Sequence, residues 1–278
     1  MGKNKKKELV LNRIITGVII VGVMVMAYPF ISQMYYTMKE NGEAIIFKKT
    51  KNEVSSNEID EIMKLYKEYN SSLKNNKDIE GKIAADKGIN EYKNMVQEHK
   101  KIGYVEIPKI NQNLPIFAGV SDEMLEKGVG QMQGTSLPIG GRGTHSVLAA
   151  HSGLPDIRLF TDLNKMQIGD EFYITNEKET IAYEVDQIKT VLPTNFSNLV
   201  IEDGKDYVTL MTCTPYRINT HRLLVRGHRI AYTQSAEKSN EKRSYAIIIK
   251  TGAALFTIFA ISAIVAKKLK KSCKKIIK

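Results

Sequence analysis

Two long apolar runs frame the chain, and the hydrophobic period changes partway between them. The first run, "NRIITGVIIVGVMVMAYPFISQMYYTM", spans Asn12–Met38, and no charge interrupts it from Ile14 to Ile31. A helix needs about 20 apolar residues to cross a bilayer, so this stretch predicts a transmembrane anchor. The second, "YAIIIKTGAALFTIFAISAIVA", covers Tyr245–Ala266. Its single Lys250 sits near one end, where the stem can snorkel to the interface. Beyond the first run, Ile59, Ile62, Met63, Leu65 and Tyr66 recur at helical spacing within Glu53–Leu73. That pattern predicts a helix with Ser56 or Asn57 as its cap. Asn70–Asn90 is polar and turn-rich and reads as a loop or linker. "NEYKNMVQEHKK" after it reads as a short second helix. Tyr69, Tyr92, Met95 and His99 in this region read as packing or surface residues.

From Ile102 the period falls to two. "IGYVEIPKI" leads through "NQN" to "LPIFAGV", and "SDEMLEKGVGQ" reads as a helical turn and glycine loop. "THSVLAAHSG" (Thr144–Gly153) is a buried strand ending in His151. "DIRLFTDLNKMQIGD" connects to a hairpin of "EFYITN" and "TIAYEVDQIKTVLP". "DYVTLMTCTP" and "HRLLVRGHRIAYT" close the series. Seven or eight short strands with little helix predict a mainly β domain, either a closed barrel or a sandwich.

Charge refines this picture. The formal net charge is +11, and much of it lies in "MGKNKKKE" at one end and "KKLKKSCKKIIK" at the other. Lysines on the outer flank of each apolar run place both termini in the cytoplasm and the chain from about Met38 to Ser244 outside. The excess thus reads as topology. A nucleic-acid partner is not expected, because the basic residues flank spans and line no groove. A cleaved signal peptide competes with a retained anchor, but "AYPFISQ" offers no small-x-small cleavage site.

The chain has two cysteines. This topology puts Cys273 inside and Cys213 outside, so the two cannot pair within one chain. An unpaired cysteine outside the cell is open to oxidation, which favours a chemical reason for keeping it. Cys213 ends an apolar strand that Pro215 prevents from continuing. His151 also ends a strand, and Arg222 opens the strand after Cys213. A thiol attacks an amide carbonyl as the thiolate, a form that a nearby imidazolium or guanidinium favours. A histidine can protonate the leaving amine, and a guanidinium can donate to the developing oxyanion. The bland alternative is a small core cysteine beside solvated charges. Arg226 and Arg229 alternate with Leu224 and Ile230 and read as a solvated barrel face. His145, His221 and His228 show no zinc-ligand spacing, so no metal is expected. "GGRGTH" lacks the lysine-serine and the strand–loop–helix context of a phosphate loop.

At these residues the chain resembles a known family. "TLMTC" looks like the Thr-Leu-x-Thr-Cys signature of sortases, the membrane-bound cysteine transpeptidases of Gram-positive bacteria. "TCTPYRINTHRLLVRG" is similar to the pilin-polymerising class, class C. "IGYVEIPKINQNLPIFAG", "GTHSVLAAHSG" and "DLNKMQIGD" match in order, so the resemblance covers Lys101–Thr233. It implies a closed eight-stranded β-barrel with short helices, preceded by a helical segment and flanked by two transmembrane helices. The implied nucleophile is Cys213, the acid/base His151 and the oxyanion donor Arg222. Tyr216 and Asn219 lie beside the cysteine as substrate-binding candidates. The implied reaction cleaves the Thr–Gly bond of a Leu-Pro-x-Thr-Gly-like signal through a thioacyl enzyme and passes the acyl group to a lysine of another pilin. The expected partners are therefore pilins bearing a C-terminal sorting signal and an acceptor lysine, and no cofactor is required. Two alternatives stay open: a sortase that anchors proteins to a cell-wall precursor amine, and a non-catalytic membrane-anchored binding barrel.

The expected organisation follows. Residues 1–13 form a cytoplasmic basic end, 14–36 an anchor, and 37–100 a helical and linker segment. Residues 101–235 form the catalytic barrel, 236–244 a linker, 245–266 a second span and 267–278 a cytoplasmic tail. Class C enzymes commonly carry an Asp-Pro-aromatic lid before the barrel. Asn70–Lys101 contains no proline, which predicts a weakly held or absent lid.

Overall fold

The computed structural model describes residues 3–50, 55–73, 79–154 and 157–233, with isolated helical positions between 252 and 268. Eight strands close into a barrel in the order β1-β2-β3-β4-β7-β8-β6-β5. They are β1 (Lys101–Ile107), β2 (Gln112–Ala118), β3 (Val129–Gln131) and β4 (Thr144–Ala149), then β5 (Glu171–Thr175), β6 (Thr180–Val191), β7 (Asp206–Thr214) and β8 (His221–Ile230). This decides between the barrel and the sandwich. Two of the pairings, β2 with β3 and β4 with β7, are parallel; the rest are antiparallel. Alternation sends one residue set inward, where Val105, Leu114, Leu148, Phe172, Leu210 and Val225 are fully buried.

The complementary set on β4, β7 and β8 faces outward and forms a second floor. Val147, Met211 and Leu224 meet there in a small apolar cluster, capped by Leu199 from the connection between β6 and β7. On the same outward face stand His145 of β4, Tyr207, Thr209 and Cys213 of β7, and Arg222 and Arg226 of β8. Both ends of this floor carry polar side chains, with the apolar cluster between them.

Before the barrel lie α1 (Lys3–Thr50), α2 (Ser56–Ser72) and α3 (Ile79–Gln97), and α4 (Asp122–Lys127) follows β2. The chain divides into two units, Thr37–Lys238 and the pair of ends Met1–Tyr36 with Ser239–Lys278. Within the larger unit, Lys101 Nζ meets Glu43 Oε2 at 3.1 Å, and the Phe47 and Tyr104 rings lie 5.1 Å apart. The expected anchor at 14–36 is thus the early part of one longer helix. Among the described residues, no helix is long and apolar enough to cross a membrane. The two spans therefore rest on the sequence, and most of the second run lies outside the described residues.

The helical segment corrects the sequence reading in two ways. The linker expected over Asn70–Asn90 is largely helix, since α2 runs to Ser72 and α3 begins at Ile79. Its glycines and polar residues outweighed the helical pattern when read alone, but packing decides. Tyr69 and Tyr92 stack at 4.3 Å, and Tyr92 donates its hydroxyl to Gln131 Oε1 at 2.7 Å. Gly88 faces α2 so closely that a Cβ there would run into the Tyr69 backbone nitrogen. Asn70, buried, donates to the Leu137 carbonyl and accepts from the Leu137 amide. The second correction concerns the cap. Ser55 occupies that position, ahead of Ser56 and Asn57, and makes no side-chain capping bond. Residues 74–78, which join α2 to α3 and bear on the lid expectation, lie outside the described residues.

Candidate active site

Cys213 and Arg222 are direct cross-strand partners on β7 and β8. Directly opposed Cβ atoms lie about 4.5–5.5 Å apart, so their side chains share one stretch of the outer face. Cys213 is free and half-buried. His151 arrives from the parallel side. β4 keeps register with β7 up to Ala149 opposite Met211 and ends there, two residues earlier than the sequence suggested.

Beyond that point two hydroxyls continue the pairing. Thr212 Oγ1 donates to the Ala150 carbonyl at 2.7 Å, and Ser152 Oγ donates to the Cys213 carbonyl at 2.8 Å. The residues on either side of His151 are thereby tied to the end of β7. His151 itself offers its carbonyl to the Phe160 amide at 3.1 Å. The three candidate residues thus converge on one end of the outer floor. Ser152 and Thr212 were not singled out in the sequence. The signal available was a hydroxyl residue next to each candidate, but reading it requires the parallel β4–β7 register.

After β7 the chain turns through a cis Thr214–Pro215 bond. The Pro215 carbonyl accepts from the amides of Ile218 and Asn219, both at 3.0 Å. Asn219 holds a left-handed backbone with φ 62°. Asparagine tolerates that region better than most residues. Its carbonyl and that of His221 accept from Arg222 Nη1 at 3.3 and 3.2 Å. Asn219 thus reaches the candidate site through its backbone carbonyl. Tyr216 is exposed, with its ring close to Gly153 and the Arg217 guanidinium 5.4 Å from its centroid. It flanks the Ser152–Gly153 segment that follows His151.

Arg226 corrects another expectation. It is not a solvated residue: its side chain is only 16% exposed and forms a two-pronged bond to Asp186 at 3.0 and 3.1 Å. Its guanidinium also stacks 4.1 Å from the Tyr207 ring centroid. Burial opposes its charge, but the Asp186 carboxylate overrides that and pushes its pKa up further. Arg229 is exposed as expected and reaches Asp206 at 3.4 Å.

A cleft of about 560 Å³ lies at the opposite end of β7 and β8, lined in part by Arg142, Asp186, Lys205, Asp206, His228 and Arg229. Asp206 to Cys213 is about 23 Å of strand. Its carboxylates are already engaged, Asp186 by Arg226, and Asp206 by the Gly141 amide, the Tyr183 hydroxyl and Arg229. The candidate Cys213 and Arg222 lie at the other end.

The family described as Sortase domain matches residues 105–230. The Sortase A of Bacillus anthracis is 29% identical over 127 residues, covering 45% of this chain and 58% of that protein. The chain thus spans less than two thirds of the length of that curated relative. The crystal structure of sortase C1 from Streptococcus suis is 57% identical, with a TM-score of 0.61, covering 62% of this chain and 97% of that one. The structure titled pilus-related sortase C of Group B Streptococcus is 49% identical, with a TM-score of 0.57, covering 68% and 97%.

Proposed function

This chain belongs to the sortase family, and from that premise we propose that it is a membrane-anchored cysteine transpeptidase that joins pilin subunits. The observation that carries the reading is the cross-strand placement of Cys213 and Arg222 with Ser152, the neighbour of His151, bonded to the Cys213 carbonyl. The likeness to a pilus-related sortase C supports the choice of pilin as substrate.

In this mechanism the Cys213 thiolate attacks the threonine carbonyl of a Leu-Pro-x-Thr-Gly-like signal. The negative charge moves to the carbonyl oxygen, where the Arg222 guanidinium donates to it. Collapse breaks the Thr–Gly bond, and His151 gives its proton to the departing glycine amine. A thioester on Cys213 remains. A lysine amine of the next pilin attacks that thioester and passes a proton to His151. The thiolate leaves, and an isopeptide bond has replaced the peptide bond. Protons and electrons balance with no outside oxidant, metal or cofactor.

The placement outside the membrane is part of the proposal. It is supported by the uncharged Ile14–Ile31 stretch and by the exposure of its large side chains on α1, with Val18 and Val25 each 67% exposed. Side chains that apolar, open along one helix, suit a lipid surround.

The test incubates the full chain, in lipid nanodiscs, with a sorting-signal peptide and a pilin carrying the acceptor lysine. A thioacyl adduct on Cys213 should be trapped by mass spectrometry, and Cys213→Ala should lose it while staying folded. An alanine variant that still cleaves the peptide would refute the nucleophile. Transfer to a peptidoglycan-precursor amine in preference to the pilin lysine would replace the pilin reading with wall anchoring.

A further inference from the structure

The proposed mechanism leaves the buried histidine of β4 unused. His145 stands on β4, on the outward face that also carries Cys213, and is 1% exposed. Both ring nitrogens are engaged. Nδ1 lies 2.9 Å from the Val200 carbonyl and Nε2 lies 2.8 Å from Thr209 Oγ1. A carbonyl can only accept, so Nδ1 carries the hydrogen. In the neutral ring Nε2 then accepts from the Thr209 hydroxyl. The ring also meets Tyr207 edge-on at 5.7 Å.

Val200 belongs to the connection between β6 and β7, residues 192–205. That connection starts beside the candidate site, because Val191 is the cross-strand partner of Arg222. It then runs along the outer floor toward the far end, where β7 begins. Two of its residues are fixed there: Leu199 in the apolar cluster with Val147 and Leu224, and Val200 by His145. Before that anchor, Leu192 and Phe196 are 59% and 53% exposed. The connection thus forms one wall over the floor that ends at His151, Cys213 and Arg222. Leu192 and Phe196 stay open while Leu199 and Val200 are held.

We propose that His145 is a positioning residue for the reaction: it fastens the β6–β7 connection to the β4–β7 floor and so sets the wall against which a substrate strand lies on its way to Cys213. This rests on the transpeptidase reading. No contact between His145 and substrate is involved. The imidazole suits the task because its two nitrogens bridge a backbone carbonyl on the connection and a hydroxyl on the floor. No aliphatic side chain does that, and an asparagine does half of it. Lys189 with Asn198 at 2.7 Å and Arg226 with Glu202 at 3.7 Å fasten other points of the same connection. Loss of His145 should therefore loosen the wall without detaching it.

The experiment uses the full chain in nanodiscs and three variants. His145→Ala removes both bonds. His145→Asn leaves an amide donor near the place of Nδ1. Thr209→Val removes only the Nε2 partner. Amide hydrogen exchange reads the connection directly and needs no activity. His145→Ala should speed exchange at 192–205 about tenfold while β1 and β5 stay protected. His145→Asn should recover much of that protection, and Thr209→Val should change it less than His145→Ala does. With sorting-signal peptide, KM should rise about tenfold in His145→Ala. Alkylation of Cys213 by a small neutral reagent should stay within twofold.

Exchange that rises evenly across the barrel, with a lowered Tm and an unchanged KM, would overturn the proposal and leave His145 an ordinary core residue. Unchanged exchange at 192–205 in a folded His145→Ala would overturn it as well. If the parent protein cleaves no sorting-signal peptide, the transpeptidase reading fails. The exchange data would still decide whether His145 holds the wall.

Discussion

Arg222 and Arg226 lie four residues apart on one face of one strand, yet the structure gives them different partners. Among the described residues, Arg222 donates to the carbonyls of its own turn, and it faces Cys213. Arg226 is locked between Asp186 and the Tyr207 ring. Replacing Arg222 by lysine keeps the charge but loses the planar fork of donors. The expected result is a fall in kcat of about 10²–10³, the usual cost of one oxyanion donor. Arg226→Lys should leave kcat within about threefold and cost about 1 kcal/mol of stability through the lost stack and prong. Steady-state peptide cleavage and thermal melts of both variants separate the two. The reversed pattern would mean that the wrong arginine has been assigned to the oxyanion. Much of this site was legible in the sequence, because its side chains sit where strands visibly stop. Pro215 marks the end beside Cys213, whereas Ser152-Gly153 suggested an end at His151 and β4 stops at Ala149. The supporting hydroxyls of Ser152 and Thr212 were not legible. Nothing local distinguishes a hydroxyl that bridges two strand ends from one that meets water. Arg226 was misread for a related reason, since its partner Asp186 comes from a distant position on β6.

Among the elements, α3 shows how tertiary contact overrides local preference. Gly81 and Gly88 lie inside it, and each glycine disfavours a helix by about 1 kcal/mol relative to alanine. Gly88 is retained at an interface, where the absence of a side chain lets α3 approach the Tyr69 backbone. Gly88→Ala should therefore destabilise the protein despite its better helix propensity, by about 1–3 kcal/mol. Gly81→Ala is the comparison to run beside it in urea unfolding. A stabilised Gly88→Ala would show that the two helices separate readily. The β6–β7 connection makes a second, pH-dependent prediction. Burial holds the His145 pKa below its ordinary value, helped by the Arg226 charge and opposed by the Val200 carbonyl and by Glu202 and Asp186. Arg226 of β8, Glu202 of the connection, Asp186 of β6 and Tyr207 of β7 are the ionisable groups around it. In the unfolded chain the imidazole titrates near about 6.5. As pH falls through that value the unfolded state takes up a proton that the folded state resists. The contribution of His145 to stability is thus full above about pH 6.5 and declines on acidification toward the lower folded pKa. Between pH 7.5 and 5, the parent should lose more stability than His145→Asn does. Equal losses in the two proteins would assign the acid sensitivity to other groups.

At the scale of the whole molecule, alternation announced a mainly β domain but left barrel and sandwich equally possible. Closure depends on which strands pair, and the parallel pairings of β2 with β3 and β4 with β7 join strands by connections that leave no periodic trace. Family resemblance supplied the closed barrel that periodicity could not. The ends of the chain pose the converse case, because there the sequence says more than the structure describes. The uncharged stretch Ile14–Ile31 and the run Tyr245–Ala266 each carry a lysine cluster on the outer side. Arginine and lysine favour the cytoplasmic side of short flanks, so the proposed topology puts both ends in the same compartment. In the proposed topology the barrel between them lies on the opposite side, where a sorting signal on a secreted pilin would reach Cys213. Protease added to intact spheroplasts should degrade the barrel or the segments joining it to the anchors. An epitope tag placed after Lys278 should stay protected until the membrane is opened with detergent. Moving the "KKLKKSCKKIIK" charges to the other flank of the second run, by exchanging the tail lysines for serines and adding lysines before Tyr245, should expose that tag. A tag accessible in the unaltered protein would refute the two-span topology. The barrel chemistry would survive that result, because the convergence of His151, Cys213 and Arg222 depends on strand register and not on how the chain is tethered.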